Sequence, residues 1–302
     1  MRNISKKLET LRIANARSVV RISDISIEAI ENNKVPKGNI FEIAKVAGFL
    51  AVKNTANVIP HCHPLPVEDC TINFKRIEHD IIIDIGVTSV YKTGVEVEAM
   101  YGASVVAITI YDLLKPIDQN IEILSTKLIA KSGGKSSFVQ YAEEGFNAAV
   151  IVMSDSISKG QKEDRAGKAI IEKLSACNIK NIEYLIIPDD PEKLTKVVKE
   201  RTEKKMKLII TTGGTGLSPR DITPETLENL FDKKIEGIAE QIRNYGQYRT
   251  PYSMLSRSTA GVISETLVIA LPGSTKGASE SMDAVFPYAL HAFHAMEGKR
   301  HD

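Results

Sequence analysis

The chain has 302 residues, of which 43% are hydrophobic, and these two figures suit two globular domains that each bury an ordinary core. Its 39 basic residues are almost cancelled by 38 acidic ones, which excludes the strongly basic surface by which proteins attract nucleic acid or an anionic membrane. Three cysteines without a Cys-x-x-Cys pair, no signal-like start and no run of ~18 apolar residues lead us to expect a cytoplasmic protein.

The first half mixes helical periodicity with β-rich runs. In chain order, the patterns predict a helix over 28–56 with a break near 36–38, strands over 70–77 and 80–91, a helix over 94–115 and a strand over 121–130. We therefore predict an α+β domain over residues 1–140.

The second half follows an aperiodic stretch at 136–147, where we place a linker. Short, continuously apolar runs occur at 148–154, 182–189, 207–214 and 267–273, and amphipathic stretches separate them at 163–176, 191–205, 223–247 and 276–294. This alternation predicts a three-layer α/β domain over 147–302, with helices around a mostly parallel sheet.

The run HCHPLP at 61–66 carries the candidate ligand residues His61, Cys62 and His63. A zinc site is one reading, but structural zinc takes four ligands and no second pair lies nearby. A structural role through hydrogen bonds between imidazole and backbone is another. The prolines around these residues stiffen the segment and suit a loop that presents side chains to a ligand.

The run KSGGKS at 131–136 looks like a nucleotide phosphate loop but lacks its first glycine, because that position is Ile129. What remains is a turn flanked by Lys131 and Lys135. Both ammonium groups can bind phosphate as point charges.

Asp112 and Lys115 are three residues apart on the helix predicted over 94–115, so they share a face. Such pairs are commonly solvated ion pairs. Because apolar residues surround this one, we expect partial burial, which would shift both pKa values and permit proton transfer near neutral pH.

Glu98 lies 14 residues before Asp112 and therefore about 21 Å away along the helix axis. One small ligand in one subunit would not meet both carboxylates. If both serve one site, a second subunit must supply one of them, which predicts a composite site at an oligomer interface.

The stretches KGNIFEIAKVAGFLAVKNTANVIPHCHPLP, TGVEVEAMYGASVVAITIYDLLK and AKSGGKS resemble the cyclic pyranopterin monophosphate synthase family of molybdenum cofactor biosynthesis. The resemblance covers most of residues 1–136. It implies a ferredoxin-like α+β fold and dimers grouped into hexamers. It also implies rearrangement of a cyclic dihydro-GTP intermediate into cyclic pyranopterin monophosphate with loss of pyrophosphate, without a tightly bound cofactor.

The same resemblance assigns roles to individual residues. The catalytic positions are Asp112, as general base or acid, together with Lys115 and Lys37. Substrate contacts are implied for His61, Cys62, His63, Val97 and Glu98. We expect the cations that bind the triphosphate to be Lys37, His63, Lys131 and Lys135. Two positions depart from the family pattern: His61 replaces an aliphatic residue and Asn3 replaces an aspartate.

In the second half, TTGGTGLSPRDITPE (211–225) follows an apolar strand, and LPGSTKG (271–277) repeats the arrangement. Glycines in such turns let backbone N–H groups approach a phosphate, and two turns at strand ends predict a crevice at the carboxyl edge of a parallel sheet. Asp155, Asp189 and Asp221 fall at that edge. Their carboxylates could position Mg²⁺ against a nucleotide's phosphates, although a cap or turn is the commoner role for each.

Together with MSDS, IIPDD, AEQIR and MLSRSTAGV, these stretches resemble the molybdopterin adenylyltransferase family over about 148–296. The resemblance implies transfer of AMP from ATP to molybdopterin, with pyrophosphate release and Mg²⁺. Asp189 and Asp221 match catalytic positions and are the expected Mg²⁺ ligands. The expected substrate contacts are Ser154, Asp155, Gly213, Gly214, Thr215, Gly216, Ser256, Gly273, Ser274 and Lys276. Ser156 departs from the arginine that family members often carry there.

We therefore predict a bifunctional enzyme with pterin and nucleotide substrates, and with other molybdenum cofactor enzymes as further partners. Both families favour threefold symmetry, which predicts a homohexamer or trimer. One alternative joins the amino-terminal enzyme to a pterin-binding or scaffold domain without catalytic activity. A GTP-binding regulator is disfavoured because guanine-specific and phosphate-loop motifs are missing.

Overall fold

The computed structural model describes residues 1–298, except for the side chains of Lys135 and Ser136. The chain divides into unit 1, Met1–Phe138, and unit 2, which begins at Val139. This division falls inside the aperiodic stretch at 136–147.

Unit 1 consists of an antiparallel sheet and the helices packed on it. Its elements are β1 (Thr10–Arg21), α1 (Asp24–Glu31), α2 (Ile40–Val58), β2 (Asp69–Ile77), β3 (Asp80–Tyr91), α3 (Glu96–Leu114), β4 (Glu122–Ser132) and the short α4 (Lys135–Phe138). The strands lie in the order β2-β3-β1-β4 and all neighbours are antiparallel. Because α2 packs on α3 and α3 packs on the sheet, unit 1 is an α+β fold.

Strand β1 is the strand of unit 1 that the sequence analysis does not predict. Its inward residues include the buried Ala14, Ala16 and Ser18, whose small side chains let α3 approach the centre of the sheet. Its outward face carries Arg17, which donates to Asp84 of β3 at 2.7 Å. Alanines and arginines lack the β-branched pattern by which the other strands are predicted.

Helices α2 and α3 approach each other closely at Gly48. An ideal Cβ on Gly48 would lie 2.6 Å from both Ile72 and Val106, so glycine is required by the packing. α3 is 19 residues long and apolar enough to cross a membrane by length and composition, but half of its most apolar window is buried in the protein. This burial is typical of the core helix of a globular domain.

Unit 2 consists of a six-stranded sheet and its helices. Its elements are β5 (Asn147–Met153), α5 (Asp155–Ser158), α6 (Ala166–Ala176), β6 (Asn181–Ile187), α7 (Pro191–Glu203), β7 (Leu208–Thr212), α8 (Thr223–Glu228), β8 (Lys233–Lys234), α9 (Glu236–Gln247), β9 (Ala260–Ile263), β10 (Thr266–Leu271), α10 (Thr275–Val285) and α11 (His291–Met296). The strand order is β6-β5-β7-β10-β9-β8. The first four strands are parallel and β9 and β8 are antiparallel, which confirms the mostly parallel sheet.

The amphipathic stretch predicted over 223–247 is divided in the structure. α8 ends at Glu228, and the chain then turns so that the Asp232 N–H donates to the carbonyl of Val262 at 2.9 Å. β8 pairs with β9 before α9 begins at Glu236. Pairing with the free edge of the sheet therefore interrupts the helical periodicity at this point.

Gly48→Ala is expected to destabilise the protein although alanine is the better helix former. The new Cβ would overlap Ile72 and Val106, and overpacking of a filled core costs about 1–3 kcal/mol, against a propensity gain of about 1 kcal/mol. Gly237→Ala in α9 is the matched control, because nothing lies within 4 Å of its Cβ position. Urea unfolding should give a lower midpoint for Gly48→Ala alone, and equal midpoints for both variants would contradict the close α2–α3 contact.

Candidate functional site

The carboxyl end of α3 carries a charged group that we call the Asp112 group: Lys37, Asp112 and Lys115. Lys37 lies in the turn before α2, and its Nζ donates to Asp112 Oδ2 and to the Asp112 carbonyl, each at 2.8 Å. Lys115 follows the last residue of α3, and its Nζ lies 2.7 Å from Asp112 Oδ1. One carboxylate therefore holds two ammonium groups, one from each side.

The expectation that burial tunes the Asp112–Lys115 pair for proton transfer near neutral pH is wrong, because hydrogen bonds to lysine shift the pKa of Asp112 away from neutral. The side chains of Asp112 and Lys115 are 49% and 52% exposed, because the apolar neighbours Leu113 and Leu114 face the core while the pair faces outward. Hydrogen bonds from Lys115 and then from Lys37 lower the pKa of Asp112 to about 2. Asp112 is therefore ionised at neutral pH in the free chain.

The amino end of α3 carries a second group, which we call the Glu98 group: Cys62, Glu96, Glu98 and Lys131. Glu98 is 4% exposed, and burial raises its pKa above the ordinary value. Burial also raises the pKa of Cys62, and the charge of Glu98 adds to that increase. Lys131 of β4 donates to Glu96 at 2.9 Å.

Glu96 has the opposite electrostatic character, although it lies two residues from Glu98. Burial works to raise the pKa of Glu96, but hydrogen bonds from Lys131 and from the backbone, together with the charges of Lys131 and Arg12, outweigh burial. The net pKa of Glu96 is lower than its ordinary value. One turn of helix thus presents an ionised carboxylate beside one that resists ionisation.

The lysines expected to bind the triphosphate lie in different groups within one chain. Lys37 reaches Asp112, whereas Lys131 belongs to the Glu98 group. α3 is continuous from Glu96 to Leu114, so its rise places Glu98 and Asp112 about 21 Å apart along the axis. Lys135 has its side chain outside the described residues.

The remaining substrate contacts predicted for unit 1 are His61 and His63, which flank Cys62, and Val97 on α3. His61 is exposed and His63 is half-buried, in the segment that leads from α2 to β2. Val97 on α3 is 42% exposed. Among residues 1–298, no group of three or more His, Cys, Asp and Glu side chains is placed to hold a metal ion, so the structure lends no support to the zinc reading.

In unit 2, the predicted residues gather where the parallel strands end. The glycine turn that follows β7 lies against two neighbouring strand ends: the Gly213 N–H donates to the Leu271 carbonyl at 3.2 Å, and a Cβ on Gly213 would lie 2.2 Å from the carbonyl oxygen of Met153. Gly213 also has a φ of +104°, which favours glycine. Gly273, after β10, lies against Gly213 from the other side.

Three carboxylates lie at this same edge of the sheet. The backbone N–H of Asp155 donates to Asp189 Oδ2 at 3.2 Å, and that of Asp189 donates to Asp155 Oδ1 at 3.4 Å. Burial raises the pKa of Asp189, and the charges of Asp155 and Asp221 add to the increase against a hydrogen bond from Asp155. Asp221 accepts the Ser218 N–H at 2.8 Å and so closes the glycine turn.

A cleft of about 470 Å³ opens beside the two glycine turns. Five predicted substrate contacts line it: Thr215, Gly216, Ser256, Gly273 and Ser274. Of the others, Ser154 accepts the Ile157 N–H at the start of α5, and Lys276 is exposed.

Sequence reasoning missed part of this cleft. Tyr252 and Leu255 line it. Arg257, just beyond them, donates through Nε to the Gly216 carbonyl at 2.8 Å. All three fall in or beside the stretch MLSRSTAGV, in which the sequence analysis assigns a role to Ser256 alone.

Comparison with known proteins accounts for both halves of the chain. Residues 1–134 match the MoaC family, and residues 149–291 match the family described as a probable molybdopterin binding domain. A molybdenum cofactor biosynthesis bifunctional protein from Chlorobaculum tepidum is 36% identical over 301 residues, which cover 100% of this chain and 96% of the relative. The chain belongs to the family of bifunctional molybdenum cofactor biosynthesis proteins.

Two further relatives agree with this assignment. The protein of the same name from Synechococcus elongatus is 33% identical over 314 residues, covering 100% of this chain and 98% of its own. A cyclic pyranopterin monophosphate synthase from Clostridium perfringens is 44% identical over 138 residues, covering 45% of this chain and 87% of its own. The solved structure of the molybdopterin biosynthesis enzyme MoaB from Thermus thermophilus is 40% identical and covers 51% of this chain and 98% of its own, with a TM-score of 0.48.

Replacing Glu98 and Glu96 by glutamine should change the stability of the protein in opposite directions at neutral pH. The raised pKa of Glu98 means that its charge costs free energy in the folded state, and this cost is absent below its unfolded pKa near 4.5. The lowered pKa of Glu96 means a stabilisation that is present above its unfolded pKa and is lost as pH falls through its folded value. Glu98→Gln should therefore raise Tm at pH 7, and Glu96→Gln should lower it.

Thermal unfolding of both variants and the wild type between pH 4 and pH 8 tests this pair. The gain of Glu98→Gln should shrink toward pH 4.5, and the loss of Glu96→Gln should shrink on further acidification. Shifts of the same sign at pH 7 would contradict the opposed environments of the two carboxylates.

Proposed function

We propose that unit 1 converts a cyclic dihydro-GTP intermediate into cyclic pyranopterin monophosphate with release of pyrophosphate. The single observation that carries the proposal is the pair of oppositely tuned carboxylates on α3. The pKa of Asp112 is lowered by two lysines, whereas the pKa of Glu98 is raised by burial. Environments that shift the pKa values of two titratable groups in opposite directions are typical of acid–base sites. The synthase relative from Clostridium perfringens supports the same reaction.

Each residue then has a defined task. Lys37 and Lys115 bind the triphosphate, and Asp112 orients both ammonium groups for it. Burial raises the pKa of Glu98 above its ordinary value, which favours its protonated form, and this carboxyl can donate a proton to the opening purine ring or accept it back. Lys131 adds positive charge and hydrogen-bond donors near the pterin end, and His63 adds an imidazole that can form hydrogen bonds there.

A second copy of the chain completes this site, because the two groups are too far apart to meet one ligand. α3 exposes Val97, Ile108 and Tyr111 along its length, and α2, which packs on it, exposes Val46 and Leu50. Exposed apolar residues in a continuous stripe are typical of a protein interface. Two copies of α3 that pack antiparallel about a twofold axis would bring the Asp112 group of one chain to the Glu98 group of the other.

We also propose a ferredoxin-like fold and a hexameric assembly for unit 1. The order β1-α1-α2-β2-β3-α3-β4 is that of a ferredoxin-like β-α-β-β-α-β unit with one additional short helix, α1, and the strand arrangement β2-β3-β1-β4 supports the same fold. Dimers formed through α2 and α3 leave the rest of each chain free to join a hexamer with threefold symmetry.

Asp112→Asn and Glu98→Gln should each abolish cyclic pyranopterin formation alone, and the two variants should rescue each other when mixed. Half of randomly mixed dimers contain one chain of each kind, and one of their two sites is then wild type. Co-expression should therefore restore about a quarter of wild-type activity. Asp112→Asn mixed with Lys115→Ala is the control, because both defects lie in one group and no wild-type site can form. Equal activity in the two mixtures would rule out the composite site.

We propose further that unit 2 transfers AMP from ATP to molybdopterin. The glycine turns after β7 and β10 offer backbone N–H groups to phosphates, and the cleft of about 470 Å³ offers Tyr252 and Leu255 to a flat heterocycle. Asp189 and Asp221 would hold Mg²⁺, which would neutralise phosphate charge when bound. Mutual repulsion of Asp155, Asp189 and Asp221 contributes to the raised pKa of Asp189, and a divalent cation would relieve it.

A pterin-binding unit 2 without catalysis is the second candidate. Two observations favour it: the described carboxylates form no preformed metal group, and Ser156 stands where an arginine is common in adenylyltransferases. The cleft alone would suffice for that role.

Pyrophosphate release by the full-length protein separates the two candidates. With molybdopterin, ATP and Mg²⁺, the wild type should release pyrophosphate, and Asp189→Asn and Asp221→Asn should each lower kcat at least about 100-fold. Asp190→Asn is the matched control, since Asp190 caps α7 through the N–H groups of Glu192 and Lys193. Binding of molybdopterin without pyrophosphate release in the wild type would establish the second candidate instead.

A further inference from the structure

Arg257 forms hydrogen bonds to both ends of the glycine turn of unit 2, residues 213–221. Its N–H donates to the Thr215 carbonyl at 3.3 Å, and its Nε donates to the Gly216 carbonyl at 2.8 Å. Its Nη2 donates to the Asp221 carbonyl at 2.6 Å, and its Nη1 forms an ion pair with Glu225 at the start of α8. One side chain therefore joins the entry of the turn to its exit.

Besides the Ser218 N–H bond to Asp221 Oδ2 at 2.8 Å, the turn has few restraints of its own. Residues 216–220 are exposed and lie outside helices and strands. The Asp221 N–H donates to the Ser218 carbonyl at 2.8 Å, and the Thr223 N–H donates to the Gly214 carbonyl at 3.1 Å. Glycine-rich, exposed backbone of this kind opens readily unless side chains from elsewhere hold it.

We propose that Arg257 is the positioning residue of this turn: it holds the amides near Gly216 and the carboxylate of Asp221 in the arrangement that receives a nucleotide's phosphates. This inference rests on the proposed adenylyl transfer by unit 2. Arg257 acts through the turn, because it lines a neighbouring cleft of about 410 Å³ with Glu225 and Glu228 and is not among the residues around the 470 Å³ cleft.

The geometry requires a guanidinium. Three of its nitrogens point in fixed, coplanar directions to Gly216, Asp221 and Glu225. A lysine ammonium keeps the charge but is a single point, so it cannot reach all three partners together. Arg257→Lys therefore separates positioning from charge.

The first test compares Arg257→Lys with the wild type and with Arg201→Lys in the full-length protein. Arg201 also makes a multidentate contact, to Glu183 at 2.7 Å and Glu200 at 2.8 Å. Loss of the Arg201 contacts should lower Tm, but it should leave amide hydrogen exchange at 213–221 and kcat/KM unchanged. Arg257→Lys should speed exchange in 213–221 and lower kcat/KM for ATP about 10- to 100-fold, with the KM for molybdopterin unchanged.

The second test is rescue of Arg257→Gly by added methylguanidinium. The free cation should restore pyrophosphate release and slow the exchange of 213–221, whereas methylammonium should not. A merely destabilised protein would not recover in this way, because guanidinium compounds weaken the folded state.

The outcomes separate the inference from the function on which it rests. If the wild type releases no pyrophosphate, the proposed adenylyl transfer fails, and hydrogen exchange still decides whether Arg257 holds the turn. Wild-type exchange at 213–221 in Arg257→Lys would overturn the inference. So would faster exchange with unchanged kcat/KM in an active enzyme.

Discussion

The proposed chemistry of unit 1 depends on one constraint: the inner face of α3 is buried against the sheet along the length of the helix. Its inward residues pack against β1, β3 and β4, so the helix cannot bend or fray without opening the core. The helix therefore acts as a rigid rod that holds Glu98 and Asp112 about 21 Å apart. No rotamer change can close that distance, so a ligand that needs both carboxylates has to bridge two copies of the chain.

The two ends of this rod are tuned by different physical means. At the Asp112 end, exposure to solvent leaves the carboxylate free to attract two lysines, and their hydrogen bonds lower its pKa to about 2. At the Glu98 end, burial dominates and raises the pKa of the carboxyl and of the nearby thiol. At the Asp112 end, two lysines are already placed to bind a polyphosphate. At the Glu98 end, a carboxyl is placed to exchange a proton with the reactive heterocycle.

The fold was predictable from sequence wherever a hydrophobic period was sustained. Period-2 alternation gave β3, and helical spacing gave α2 with its break before Ile40. β1 was not predicted because alanine and serine, which suit its place under α3, carry no strand signal. The stretch over 223–247 was interrupted because β8 pairs with the edge of the sheet, an interaction that depends on β9 and not on local sequence.

The candidate sites were predictable in membership but less so in arrangement. A spacing of three residues puts Asp112 and Lys115 on one face of a helix, but it does not tell whether that face meets the core or solvent. Lys131 and Lys37 look alike as isolated cations, and only the course of β4 separates them into different groups. Arg257 lies in a stretch that the sequence singles out, but its role could not be predicted because its partners are mostly backbone carbonyls. The net charge of +1 is compatible with the proposed functions of both units, since locally placed lysines or glycine turns can bind an anion without a field from the whole molecule. For such binding, the accurate placement of single side chains matters more than total charge. Burial fixes the position of Glu98, and the hydrogen bonds of Arg257 to Gly216 and Asp221 fix the glycine turn.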